Sequence, residues 1–118
     1  MLVRDYREVP LQDAGVEGVK VRWVISVPEG APTFAMRVFD VEPGASTPHH
    51  QHPWEHEVFV LEGSGEVVGE NGVFQISHGT TVFVPPNEKH QFRNTGNEVL
   101  RFICVIPTVP EALPKQST

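Results

Sequence analysis

The sequence predicts an all-β domain, folded as a closed or two-sheet antiparallel barrel. Ten glycines and eleven prolines punctuate the 118 residues and leave little room for helices. Between them lie short runs rich in Val, Ile, Phe and Thr, the residues that favour strands. No window carries a sustained helical period, and turn signals recur roughly every ten residues, a spacing typical of sandwiches and barrels.

The first strand is predicted over residues 19–27, because apolar side chains occupy every odd position there while most even positions are polar. The other predicted strands are residues 34–41, 56–62, 66–69, 73–77, 80–84, 89–93 and 98–106. A chain of this length forms one compact domain. We expect that domain over residues 18–107, with an N-terminal arm at 1–17 and a C-terminal tail at 108–118.

Charge and composition exclude several functional classes. Nine Lys and Arg against fifteen Asp and Glu give a net charge of −6, which disfavours binding to nucleic acid or to an anionic membrane. The apolar runs are far shorter than a bilayer span, and the first residues lack the apolar core of a signal peptide. The single cysteine, Cys104, cannot form an internal disulfide. Together these features predict a cytoplasmic protein.

Four of the six histidines fall within residues 48–56 (PHHQHPWEH), a clustering that favours a metal site over a solvated loop. Residues i and i+2 of a strand point to the same face, so His50 and His52 can bind one ion together. His49 has the opposite parity and is expected to face away. Imidazole suits Zn, Fe, Ni and Cu, and also Mn where coordination positions stay open. Further ligands must come from elsewhere on the inner wall.

The spacing of these residues resembles the first motif of the cupin superfamily, G-x5-H-x-H-x3,4-E-x6-G. The matching residues are Gly44, His50, His52 and Gly63, and His56 stands where the motif has Glu. The resemblance extends over residues 34–106 and implies a small double-stranded β-helix, or jelly roll.

A segment further along the chain resembles the second cupin motif, G-x5-P-x-G-x2-H-x3-N, equally closely. The matching residues are Gly79, Pro85, His90 and Asn94. Asn87 replaces the Gly before His90, and because Asn tolerates left-handed backbone conformations, the turn can survive. His78, just before this motif, is expected to be a turn residue.

Two adjacent residues compete for the position of the motif Glu. Counting back seven residues from Gly63 lands on His56, and His56 shares its strand face with Val58. A bulge near Pro53 would shift the register and turn Glu57 inward instead. We expect His56 to be the ligand, with Glu57 as the alternative.

With His56 as ligand, the chain resembles in particular the small four-histidine manganese cupins. That resemblance implies a homodimer with one divalent metal per chain, bound by His50, His52, His56 and His90, with two adjacent open coordination positions. Manganese or iron is expected on this basis, with zinc, nickel or copper as alternatives. The strand at 19–27 adds a physical reason for a dimer, since an unpaired edge with an apolar face needs a partner.

Strand parity identifies the side chains expected beside the ion. Phe92 shares a face with His90, and Phe102, Cys104 and Ile106 share the face of the last strand that we expect to point inward. Cys104 is either a small buried apolar residue or a thiol exposed to oxidants formed at the ion.

Arg37 interrupts the apolar run 34–41 and has two interpretations. It is either exposed and salt-bridged, or it reaches inward with Phe39, where its guanidinium could anchor a substrate carboxylate.

The leading functional hypothesis is activation of dioxygen or peroxide against a small organic substrate, a dioxygenase-like activity. A non-catalytic cupin that binds a small ligand or a metal is the alternative, because a barrel of this kind does not fix function. A metal-dependent isomerase or decarboxylase is a third hypothesis, weakened by the missing motif Glu.

Overall fold

The computed structural model describes residues 1–113, which form two antiparallel sheets. The strands are β1 (Gln12–Asp13), β2 (Val19–Ile25), β3 (Phe34–Val41), β4 (His56–Glu62), β5 (Ser64–Gly69), β6 (Gly72–Ser77), β7 (Thr81–Val84), β8 (Gln91–Arg93) and β9 (Leu100–Pro107). The larger sheet has the order β1-β2-β3-β9-β4-β7 and the smaller one β6-β5-β8. Within residues 1–113 the helical segments are short 3-10 turns at Tyr6–Glu8, Val27–Glu29 and Pro110–Ala112. The all-β prediction is confirmed.

The structure has one strand that the sequence did not predict, β1, and only β3 and β4 keep their predicted bounds; the other strands begin or end one or two residues away. β1 was not predicted, because Gln12 and Asp13 are exposed and have no apolar alternation; their pairing with Val21 and Lys20 alone makes them a strand. β8 is shorter than the predicted strand 89–93, because His90 leaves the ladder and forms an isolated bridge with His50. Both differences are tertiary pairings without a local sequence signal.

β9 is the central strand of the core. Buried and half-buried residues alternate along its whole length, and the buried ones include Phe102, Cys104 and Ile106. β9 pairs with β3 on one side and with β4 on the other. The inward faces of these three strands therefore form one wall of the barrel, and Phe92 packs against it from the smaller sheet.

The N-terminal segment covers part of a second apolar surface. Val9 is buried against Val24 and Val38, and Tyr6 packs beside them. β2 is therefore not the unpaired edge that the sequence suggested, since β1 pairs with it and Val21 is buried. The edge of β2 no longer supports a dimer.

Asn87 has a left-handed backbone, with φ of 68°, which is the conformation expected at the glycine position of the motif. Among the described residues, every other positive φ belongs to a glycine. The Asn87 N–H donates to the His52 carbonyl at 2.6 Å. This turn thus joins the loop before His90 to the loop that carries His52.

Residues 1–113 contain no helix of the length and apolarity that crossing a bilayer requires.

Candidate metal centre

A short backbone ladder holds His50 and His90 opposite each other. The His50 N–H donates to the His90 carbonyl at 3.1 Å, and the His90 N–H donates to the His50 carbonyl at 2.9 Å. Both residues lie just outside the regular strands, where an isolated antiparallel bridge is enough to fix their backbones. Their ring centroids are 5.3 Å apart, and the rings meet edge to face with an interplanar angle of 60°.

Three histidines form a tight group. One ring nitrogen from each of His50, His52 and His90 lies within 4.8 Å of the other two, close enough for the three to hold one metal ion. Nε2 of His50 and Nε2 of His52 are 3.1 Å apart. Nitrogens that bind one ion at about 2.0–2.1 Å in adjacent positions are separated by roughly 3 Å, so this pair fits a shared cation.

His56 lies at the edge of this group. Its ring centroid is 5.1 Å from that of His52 and 4.9 Å from that of His90. His56 is buried at the start of β4, whereas Glu57 is exposed on the opposite face of the strand. Nε2 of His56 is buried and has no hydrogen-bond partner among the described residues. A buried imidazole nitrogen without a partner is costly unless an ion binds it.

The environment keeps these imidazoles neutral. Burial, followed by the neighbouring His90 and Arg37, lowers the pKa of His50. Burial and the neighbouring histidines lower the pKa of His52 to about 4. Burial and then Arg37 lower the pKa of His56 to about 3. Neutral imidazole is the form that ligates a metal, so the group is prepared to bind one without first losing protons.

His90 shows how one candidate ligand is oriented. Its Nδ1–H donates to the Glu88 carbonyl at 2.8 Å, which leaves Nε2 as the free lone pair. Metal-binding histidines commonly donate their second ring N–H to such an acceptor. The residues present therefore fit a divalent cation of borderline softness.

The histidines line a cavity of about 330 Å³. The other side chains that the sequence analysis considered for the pocket also border it, including Arg37, whose position was left open: Arg37, Phe39, Phe92, Phe102, Cys104 and Ile106. Phe102 stacks between Phe39 and Phe92, with ring centroids at 5.3 Å and 4.8 Å. One wall of the cavity is therefore aromatic. His49 and His78 are both exposed.

Arg37 faces the cavity. Its guanidinium carbon lies 4.8 Å from the Phe39 ring centroid and 5.3 Å from that of Trp23. Its Nη2 donates to Cys104 Sγ at 3.0 Å, and it has no carboxylate partner within residues 1–113. Burial raises the pKa of the Cys104 thiol, and this effect exceeds the opposite effect of Arg37, which lowers the pKa.

Several lining residues were missed by the sequence analysis. Trp54 stacks on His52, and Thr47 and Pro48 border the cavity on the loop before His50. Ala14 and Ala112 come from the two ends of the domain. Proximity to the histidine motif was a usable signal for Trp54, whereas nothing local marks Ala14 or Ala112.

Comparison with known proteins agrees with this architecture. The polyketide cyclase RemF from Streptomyces resistomycificus has a similar structure, with a TM-score of 0.85 and 32% identity over 92% of this chain and 80% of that one. Auxin-binding protein 1 of Arabidopsis thaliana is 30% identical over 92% of this chain, and the chain spans 60% of its length. The oxalate-binding protein of Thermotoga maritima is 39% identical over 54% of each chain.

The family itself follows from a longer match. Residues 37–106 match the model of the family described as "Cupin domain", and this segment contains His50, His52, His56 and His90 together with the strands that carry the cavity wall. The match spans more than half of the chain, and it is the family whose two motifs the sequence resembles. The chain belongs to the cupin family.

Proposed function

We propose that this cupin binds one divalent metal ion through His50, His52, His56 and His90 and uses it to activate dioxygen or peroxide for the oxidation of a small organic substrate. The observation that carries the proposal is the group of histidines on the wall of an apolar, aromatic cavity. Such a ligand set leaves the charge of the ion uncompensated, which favours oxygen-donor and anionic guests.

Manganese or iron suits the proposed chemistry, with zinc, nickel and copper as competitors by affinity. When bound, a redox-active ion supplies open coordination positions and electrons for oxygen or peroxide. The protein's part is to hold the imidazoles oriented, as the contact of His90 with the Glu88 carbonyl does.

The side chains that line the cavity indicate a substrate class. Phe39, Phe92 and Phe102 offer flat apolar surface to an aromatic or alkenyl group, and they keep water away from it. Arg37 is a cation without a carboxylate partner within residues 1–113, so it is placed to hold a substrate carboxylate. A small aromatic or alkenyl carboxylic acid fits both features.

A second candidate is binding or metal-assisted chemistry without oxidation. Two of the relatives are named for binding auxin and oxalate, and the structural relative RemF is named as a polyketide cyclase. Arg37, which favours anionic groups, and the aromatic wall would bind such a ligand equally well. This candidate predicts the same binding site with no dependence on a redox-active ion.

One experiment separates the two candidates. Protein purified without added metal is analysed for its ion, stripped, and reloaded with Mn²⁺, Fe²⁺ or Zn²⁺. Aromatic and alkenyl carboxylic acids are then supplied with oxygen or peroxide, and oxygen uptake and products are followed. The proposal expects oxidation with Mn²⁺ or Fe²⁺ and none with Zn²⁺, which cannot change oxidation state. Equal turnover with Zn²⁺, or binding without turnover under every metal, would establish the second candidate.

We also propose that the chain is a homodimer in the cytoplasm. Phe59 on β4 is 42% exposed, and Phe83 on the neighbouring strand β7 is 58% exposed. Phe34, at the start of β3 in the same sheet, is 65% exposed. Exposed aromatics grouped in this way favour an interface. Sedimentation should give twice the chain mass of 13.1 kDa at micromolar concentration, and Phe83→Glu should shift it to the monomer. A wild-type monomer would overturn the dimer.

The proposed location in the cytoplasm rests on Cys104, because its free thiol fits a reducing compartment.

A further inference from the structure

The sulfur of Cys104 lies between a cation and a candidate metal ligand. Arg37 Nη2 donates to Sγ at 3.0 Å, and Nδ1 of His56 lies 3.2 Å from the same sulfur. Cys104 is 3% exposed and stands opposite Arg37 in the ladder between β9 and β3. The three side chains thus form a chain of close polar contacts from the half-buried Arg37 through the buried Cys104 to the buried His56.

The proton on His56 has two possible positions. If Nε2 carries it, a buried N–H is left without an acceptor, because Nε2 has no partner among the described residues. If Nδ1 carries it, the N–H meets Sγ, and the Nε2 lone pair points away from the sulfur and is free for an ion. A neutral imidazole has only one ring N–H, so the partner of Nδ1 decides which nitrogen can ligate.

We propose that Cys104 is a positioning residue for the metal site: its sulfur accepts the Nδ1–H of His56 and thereby holds His56 in the tautomer whose Nε2 faces the ion. This inference rests on the proposed four-histidine site, and it gives Cys104 a structural task separate from any reactivity. His90 provides the parallel within the same site, where the Glu88 carbonyl has the role that the sulfur has for His56.

Arg37 fixes the position of the sulfur. A thiol is a weak acceptor, so its placement matters, and the hydrogen bond from Arg37 Nη2 holds Sγ beside Nδ1 of His56. The guanidinium is itself held in place, since it packs over the rings of Phe39 and Trp23. Arg37 has further N–H groups beyond the one on sulfur, so it can hold a ligand carboxylate at the same time.

The first test reads the tautomer directly. Nitrogen-15 NMR of the full-length, metal-free protein reports which ring nitrogen of His56 carries the proton. We expect Nδ1–H in the wild type, Nδ1–H in Cys104→Ser, whose hydroxyl oxygen can accept, and a shift toward Nε2–H in Cys104→Val, which keeps volume but removes the acceptor. A wild-type His56 with its proton on Nε2, or no change in Cys104→Val, overturns the inference.

The second test measures affinity for Zn²⁺, which is diamagnetic and needs no turnover. Cys104→Val should weaken binding by roughly 10- to 100-fold, the usual cost of removing the acceptor of a metal-binding histidine, and Cys104→Ser should restore most of it. Val58→Ala is the matched control, because Val58 is the buried β4 neighbour of Cys104 and has no polar atom. It should bind Zn²⁺ like the wild type.

The two tests keep the inference distinct from the proposed function. If the wild type binds no metal, the proposed function fails, and the tautomer in the metal-free protein still decides the role of Cys104. If Cys104→Val and Val58→Ala lose Zn²⁺ equally, the effect is one of packing and the inference is wrong.

Discussion

The indole of Trp54 lies parallel to the imidazole of His52, with ring centroids 4.5 Å apart and planes 5° apart. Trp54 sits two residues after His52 in the loop before β4, so the stack fixes the ring of a candidate ligand that no regular strand supports. The loop thereby gains local rigidity where the candidate ion would bind.

We predict that Trp54→Leu weakens metal binding by roughly two- to tenfold, because an aromatic stack contributes about 0.5–1.5 kcal/mol beyond its buried area. Trp54→Phe, which can still stack, should bind nearly as the wild type does. Calorimetric titration of the stripped protein measures both. Equal losses in the two variants would show that indole size, and not stacking, is what supports His52.

Replacement of single histidines should distinguish those that bind the metal ion from those that do not. His50→Ala, His52→Ala, His56→Ala and His90→Ala should each lower the metal content of the purified protein, because each removes a nitrogen from the site. His49→Ala and His78→Ala are the matched controls, since both residues are exposed, and they should retain the ion.

Glu57→Ala tests the remaining ligand ambiguity. Glu57 is exposed on the face of β4 opposite His56, so its loss should leave metal content unchanged. A metal-free Glu57→Ala protein would instead assign the ligand position to the carboxylate.

The metal-free protein should lose stability in mild acid. The pKa values of His52 and His56 are lowered to about 4 and about 3, so the unfolded chain, with histidine near 6.5, binds more protons than the native one. The free energy of unfolding contributed by these groups is therefore fully present above about pH 7 and falls as the pH decreases through about 6.5 toward 4. Urea unfolding across this range should show the decline, and His56→Gln should reduce its slope.

Asn87 should tolerate Gly but not Ala. Its φ of 68° is left-handed, which costs a residue with an ordinary side chain about 1–2 kcal/mol. Asn87→Ala should lower the free energy of unfolding by about that amount, and Asn87→Gly should leave it close to the wild-type value. Denaturant titration compares them. If Asn87→Ala leaves the free energy of unfolding unchanged, the turn has relaxed. The hydrogen bond from the N–H of residue 87 to the His52 carbonyl should then be lost as well.

The parts predictable from sequence are those with a local period or a fixed spacing. The alternation of β9 identified Phe102, Cys104 and Ile106 as inward residues, and motif spacing located His50 and His90. Arg37 was ambiguous, because its burial depends on the faces of Trp23 and Phe39 and on a sulfur 67 residues away. Such long-range contacts leave no trace in a local window.

The domain limits at residues 17 and 107 stay a prediction, and residues 114–118 of the expected tail lie outside the described residues. Within the described part, Val9 of the expected arm is buried because it lies against Val24 and Val38. Several residues of this segment are apolar, and nothing local distinguishes Val9 from the exposed Leu2 and Val3.

The cavity is bordered by segments from both ends of the chain, with Ala14 before β2 and Glu111 and Ala112 after β9. Chain ends accept insertion, deletion and fusion more readily than strands do. Substitutions or insertions in these two segments would therefore change the border of the cavity, while the strands and loops that carry the four histidines keep their sequence.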